Sequence, residues 1–182
     1  MSYEIKQDGK FKFIEEGEGE PLILLHGLFG ALSNFHDLIS HFSKTNKVVV
    51  PILPLLELDL LHTSVGGLQK FVLRFIEHRN YKNIHLLGNS LGGHVGLVFV
   101  LKHPEFIKSL ILTGSSGLFE NTMGGSYPRR GSYDYIRERV AYTFYDPDVA
   151  SKDLVDEVFE TTKSIPKCLR IVAIAKSAQR NN

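Results

Sequence analysis

With 182 residues, 43% of them hydrophobic and 23% charged, the chain has the composition of a globular domain able to bury a sizeable core. Its 21 basic and 20 acidic side chains leave a formal net charge of +1 with no like-charge block, which argues against nucleic acid or an anionic membrane as partner. No apolar stretch is long enough to span a bilayer, no signal run opens the chain, and Cys168 is the only cysteine, so a reducing, cytoplasmic setting is expected.

Lys10 to Glu16 sets Phe11 and Phe13 among charged neighbours, which predicts a half-exposed strand. The Glu-Gly-Glu-Gly-Glu run that follows predicts a turn. Pro21 to Leu25 is continuously apolar and ends at His26-Gly27, as a strand buried on both faces should. Ser33 is placed to cap a helix running to about His41, with Phe35, Leu38, Ile39 and Phe42 as its apolar stripe. Lys47 to Leu53 predicts another buried strand. Gly66-Gly67 introduces a helix whose inner face is Leu68, Phe71, Val72, Phe75 and Ile76. Asn83 to Leu87 is the next strand and Leu91 to Lys102 the next helix, halted by Pro104. Ile107 to Thr113 is strand again, closed by Gly114-Ser115-Ser116-Gly117.

Strands alternating with helices through short connections predict an α/β fold: a mostly parallel sheet with helices on both faces. After Gly117 the character changes. Asn121 to Gly131 has a loop composition, and three helical stretches follow with no strand between them. One holds Ile136, Val140 and Phe144. One runs from Ser151 through Leu154, Val158 and Phe159, and the last starts at Pro166 and holds Leu169, Val172 and Ala173. The expected division is therefore a core over residues 1–118 and a helical cap segment over 119–182, laid across the strand ends.

Gly88-Asn89-Ser90-Leu91-Gly92 lies between a predicted strand and a predicted helix, and this context makes the G-x-S-x-G pattern meaningful. A serine hydroxyl is a weak nucleophile until a base draws off its proton and the backbone presents its oxygen to substrate. A sharp strand-to-helix turn does the presenting, at the carboxyl edge where open α/β sheets bind ligands. Such a turn strains the backbone of Ser90 and crowds the positions two before and two after, which are Gly88 and Gly92. The helix start then aims backbone N–H groups, Leu91's among them, at a reacting carbonyl oxygen. The bland alternative, a Gly-rich turn that cradles phosphate, lacks the G-x-x-x-x-G-K-[ST] or G-x-G-x-x-G spacing.

A second glycine-flanked turn, His26-Gly27-Leu28-Phe29-Gly30, follows the first buried strand. Together the two segments resemble the α/β-hydrolase family, and the resemblance extends over nearly the whole chain, in strand and helix order and in a cap after the sixth strand. It implies that Ser90 is the nucleophile and that the oxyanion hole is formed by the N–H groups of Leu91 and Leu28, with Phe29 N–H as the near alternative. It also implies that His26, Gly27, Gly88, Asn89 and Gly92 support the elbow and its neighbouring loop. The nearest likeness is to capped, serine-dependent members: carbon–carbon bond hydrolases, esterases and haloperoxidase-like enzymes. A dehalogenase, with Asp where Ser90 stands, is disfavoured.

The family order is nucleophile, acid, histidine, and here the pattern departs. The eight histidines are His26, His36, His41, His62, His78, His85, His94 and His103, and none lies after Pro104. Gly114-Ser115-Ser116-Gly117 offers no carboxylate, and Asp134, Asp146, Asp148, Asp153 and Asp156 all fall in cap segments. His94 should point into helix packing, His26 should shape the oxyanion loop, His36 should lie at the surface or in packing, and His85 should be a hydrogen-bonded core residue. No triad acid or histidine is therefore assigned. A truncated product of a longer hydrolase gene is the expected explanation. The alternative is a relative whose sixth strand, otherwise an exposed edge open to self-association, is covered by the cap or a partner.

Pro128-Arg129-Arg130-Gly131 reads as a solvated hinge. Tyr133, Tyr135, Tyr142, Phe144 and Tyr145 fit either a pocket beneath the cap or the cap's own core. Phe29, beside the oxyanion loop, is the better candidate for lining a substrate pocket, and Cys168 reads as a small buried hydrophobe. No ligand cluster has a metal spacing, and no cofactor is expected. The expected function is hydrolysis of a small carboxylic ester or related acyl bond through Ser90, impaired in this chain for want of a downstream histidine. The alternative is an inactive fragment or a non-catalytic ligand-binding module.

Overall fold

The computed structural model describes residues 3–28, 35–118 and 131–180. In chain order the elements are β1 (Lys6–Asp8), β2 (Phe11–Glu16), β3 (Glu20–Leu25), α1 (His36–Phe42), β4 (Asn46–Pro51) and α2 (Val65–His78). There follow β5 (Ile84–Asn89), α3 (Leu91–Lys102), β6 (Ile107–Thr113), α4 (Tyr133–Tyr142), α5 (Lys152–Lys163) and α6 (Ile165–Arg180). The six strands form one sheet in the order β1-β2-β4-β3-β5-β6. β1, β2 and β4 pair antiparallel, and β4, β3, β5 and β6 pair parallel. The predicted α/β architecture is the observed one.

Strand β1 is absent from the sequence reading because its three residues show no apolar alternation. Its signal is the turn, where Asp8-Gly9 joins it to β2 and Gly9 sits at φ +57°, a conformation that favours glycine. The strand predicted over 47–53 ends at Pro51. Leu53 turns away instead, sending its N–H to the His26 ring. The helix expected after Gly66-Gly67 starts earlier, at Val65, capped by Ser64 Oγ, which accepts from Gly67 N at 3.0 Å. Ser33, the expected cap of α1, lies outside the described residues.

Alternation along the parallel strands divides the core. Ile23, Leu25, Val49, Ile84 and Leu86 face α2 and α3, where they meet Leu68, Val72, Phe75, Ile76, Val95 and Phe99. Leu22, Leu24, Val48, Val50 and Leu87 face the other way, toward Phe35 and Ile39 of the α1 segment. Each fully buried aliphatic or aromatic side chain contributes about 1.5–3 kcal/mol relative to exposure, so burial on both faces fixes the sheet between its helices. The outer strand is less covered: Ile111, paired with Leu87, is 43% exposed, and Leu101 on α3 is 81% exposed.

All three helices predicted after the loop form. α4 and α5 make an apolar cluster of their own around Ile136, Val140, Val155 and Val158, on which Tyr133, Tyr135 and Phe144 pack. Tyr142 and Tyr145 are exposed. α6 behaves differently, since its Ile174 and Ala178 join the main core. Ser177 Oγ accepts from Val65 N at 3.1 Å, and Arg170 Nε donates to Leu58 O at 2.7 Å, so α6 is fastened to the start of α2. The passage from core to cap expected at residue 119 lies outside the described residues.

A polar clamp closes the far end of α2. Arg79 reaches Asp8 at 3.0 Å and Glu15 at 2.9 Å, with its guanidinium 4.8 Å from the Phe13 ring centroid, and Tyr81 donates its hydroxyl to Glu15 at 2.6 Å. Burial and the Glu15 carboxylate push the Tyr81 phenol up to about 12. Burial would raise Glu15, but the Tyr81 hydroxyl and the nearby cations outweigh it and hold the carboxyl below its ordinary range. Tyr81→Phe is expected to lower stability by about 1–2 kcal/mol, read from urea denaturation, because Glu15 loses one donor and keeps Arg79.

Candidate active site

Strands β3 and β5 are neighbours and parallel, with Leu25 opposite Gly88. The chain leaves β3 toward β4 on one side and returns to β5 on the other, so the loops after β3 and β5 diverge at a switch point of the sheet. That topology brings two segments more than sixty residues apart in sequence to one spot. Gly27 shows how close they come: a Cβ added there would lie 3.1 Å from Ser90 Cβ and 3.5 Å from Ser90 Oγ.

Ser90 is exposed and has φ +53° and ψ −120°, a conformation that L-residues rarely adopt. Its backbone is held on both sides. Ser90 N donates to Thr113 O at 3.1 Å, and Ser90 O accepts from Gly93 N at 3.0 Å and Ser116 N at 3.2 Å. Asn89 ties the elbow to β6, donating from Nδ2 to Thr113 O at 3.0 Å and to Thr113 Oγ1 at 3.1 Å. The first turn of α3 packs directly under the end of β3. A Cβ on Gly92 would sit 2.1 Å from Leu25 O and 2.7 Å from His26 O, and one on Gly88 would sit 2.5 Å from Gly92 O.

Leu91 is buried, and its N–H belongs to the first turn of α3, whose amides lack acceptors within the helix and carry the positive end of its dipole. Leu28 follows Gly27 and rests its side chain on the main core. Phe29 lies outside the described residues, as do Arg129 and Arg130.

The histidines are otherwise engaged. His26 is 6% exposed; its Nε2 accepts from Leu53 N at 2.9 Å and its Nδ1 lies 2.9 Å from Gly27 O, which defines a neutral ring protonated on Nδ1. Burial holds its pKa below the ordinary value, opposed by the bond to Gly27. His94, one turn along α3, is 1% exposed, with Nδ1 3.5 Å from Ser116 Oγ and Gly117 pressed against the ring. His85 on β5 links the strands to either side of it, bonding Ser109 Oγ of β6 at 2.7 Å and Glu20 of β3 at 3.2 Å, and it is half-buried rather than the core residue expected. His36 packs its ring obliquely against Tyr3, with centroids 5.4 Å apart. Among the described residues none makes a hydrogen bond to Ser90 Oγ. Three of the cap acids have partners of their own: Asp156 bonds Tyr133 and Lys152, Asp134 pairs with Arg137, and Asp146 caps Asp148 N.

Sequence reasoning missed the part of Thr113 and the 114–117 turn in this site. Ser116 N holds the elbow carbonyl, and a Cβ on Gly93 would strike Ser115 Oγ at 2.4 Å. The available signal was the run of small residues, which is what a turn lying against a helix start requires.

Comparison with known proteins places this geometry among others. A family model described as alpha/beta hydrolase fold matches residues 20–144. The 2-hydroxy-6-oxo-6-phenylhexa-2,4-dienoate hydrolase of Comamonas testosteroni is 28% identical, over 91% of this chain and 64% of its own length. The dihydrolipoyllysine-residue acetyltransferase component of the acetoin cleaving system of Pseudomonas putida is 27% identical, over 86% of this chain and 45% of its own. This chain thus spans only part of the curated relatives it matches. Among solved structures, the alpha/beta hydrolase enzyme MGS-MChE2, from the metagenome of sediments of the Mar Chica lagoon in Morocco, is 40% identical. It superposes with a TM-score of 0.77, over 98% of this chain and 67% of that one. No described helix is long and apolar enough to cross a membrane.

Proposed function

The chain belongs to the alpha/beta hydrolase fold family, and on that footing we propose that Ser90 is the nucleophile for hydrolysis of a small carboxylic ester or related acyl bond. The observation that carries the reading is the strained, exposed Ser90 at the end of β5 with Gly27 closed against its side chain. Ser90 Oγ attacks the acyl carbon as a base takes its proton. The N–H groups of Leu91 and Leu28 hold the oxyanion, and water then releases the acyl-enzyme. Helices α4 to α6 serve as the cap over this edge, and Phe29 lines the pocket. The setting is cytoplasmic, and copies of the chain meet along the open edge of β6.

Among the described residues His26 and His94 are enclosed and committed elsewhere, so neither takes this proton. Nucleophile and base act as a unit, and losing the base costs several powers of ten in rate. A second reading rests on the same engaged histidines: a binding module that keeps the cleft and does not turn over.

A fluorophosphonate probe and an activated ester test both readings. Slow labelling of Ser90 is expected, accelerated by added imidazole and abolished in Ser90→Ala. Labelling that persists in Ser90→Ala would overturn the nucleophile. No labelling at any imidazole concentration would favour the binding module.

A further inference from the structure

We propose a second binding site, for a ligand that combines an anionic group with an apolar body such as an aromatic phosphate, between α2 and the turn after β4. A cavity of about 420 Å³ lies there, within the range of small-ligand pockets. Its walls carry Lys10 from the β1–β2 turn and Lys70 and Arg74 from α2, and its apolar surface comes from Phe71, Leu58 and Pro54.

Three features select an anion with an apolar body. Lys70 and Arg74 are four residues apart on α2, so they share one helix face, where two like charges repel unless something neutralises them. Among the described residues no carboxylate lies within ion-pairing distance of Lys10, Lys70 or Arg74, whereas Arg79 on the same segment holds two. The one carboxylate in the wall, Asp59, is committed to its own turn: it accepts from Leu61 N and His62 N at 3.0 Å each and pairs with His62 Nδ1 at 2.7 Å. The His62 hydrogen bond holds Asp59 below its ordinary pKa. Cations gathered at a cleft with low-dielectric walls concentrate their field on what enters it. The Phe71 ring is held in place by Phe11, 5.3 Å away between centroids, and offers a fixed surface for an apolar body.

The cavity is distinct from the Ser90 site. It opens at the end of β4, and β3 separates β4 from β5, so two strand spacings of roughly 10 Å lie between them.

Titration calorimetry and amide NMR of the chain with 1-naphthyl phosphate test the proposal, with inorganic phosphate and 1-naphthol as the separate halves. Saturable one-to-one binding is expected, about tenfold or more tighter than either half, with shifts at Gly67, Lys70 and Phe71 and weakening as salt rises. Lys70→Gln with Arg74→Gln should weaken it by about tenfold or more. These positions are exposed, and circular dichroism checks that the fold is kept. Lys82→Gln, outside the cavity, and Ser90→Ala should leave affinity unchanged. Unaltered affinity in the double variant, or 1-naphthol binding as tightly as its phosphate, would overturn the proposal.

Discussion

Gly92→Ala is expected to cost roughly 3 kcal/mol or more of folding stability and to abolish labelling of Ser90. The added methyl group would lie 2.1 Å from Leu25 O and 2.7 Å from His26 O. Both obstacles are backbone, so no side chain can swing aside. Either α3 moves off the end of β3, or β3 gives up its register with β5. Each response moves Ser90 relative to Gly27, so the loss of stability and the loss of the elbow come together. A fold whose whole stability is on the order of 5–15 kcal/mol has little to spare. Urea denaturation of the variant measures the first effect and probe labelling the second. A variant with unchanged stability would show that α3 does not pack on β3 as described.

His26→Ala is expected to lower stability by about 3 kcal/mol. It strands the buried N–H of Leu53 without its acceptor, at about 1–3 kcal/mol, and removes the ring that fills the space behind Gly27. The same residue makes stability depend on pH. Burial depresses the His26 pKa in the fold, so the unfolded chain binds a proton there more readily than the native chain does. The stabilisation is fully present above the unfolded value of 6.5 and is lost as pH falls from there toward the depressed folded value. The carboxylates of Asp8, Glu20 and Asp59 are held below their ordinary values, so their own losses fall at lower pH. Denaturation midpoints of the wild type should therefore decline as pH falls below 6.5, while His26→Asn shows a flatter profile there. Equal slopes would mean that His26 is not buried neutral.

Much of the core was legible along the chain. Leu91–Lys102 and Ile107–Thr113 run as the sequence predicts, because a dense apolar segment between Ser90 and Pro104 leaves little choice. The glycines around Ser90 were legible too, since a strand that turns at once into a helix crowds its own neighbours. β1 was not, because a three-residue strand has no period, and its existence depends on the edge that β2 presents. The double allegiance of α6 was also hidden. Its apolar residues announce a helix, yet only docking on α2 shows that Ile174 and Ala178 belong to the main core.

The sequence by itself determined that a serine sits at a strand-to-helix elbow with glycine two residues to either side, and that no histidine follows Pro104. Those are local facts, set by side-chain size and backbone angle within a few residues. Only the tertiary structure decided what stands next to that serine. The strand order places β3 beside β5, brings Gly27 against Ser90, and turns His26 toward Leu53 instead of toward the hydroxyl. Strand pairing joins residues remote in sequence through backbone hydrogen bonds that every residue type except proline offers alike, so the identity of a strand's neighbour is not written in its side chains.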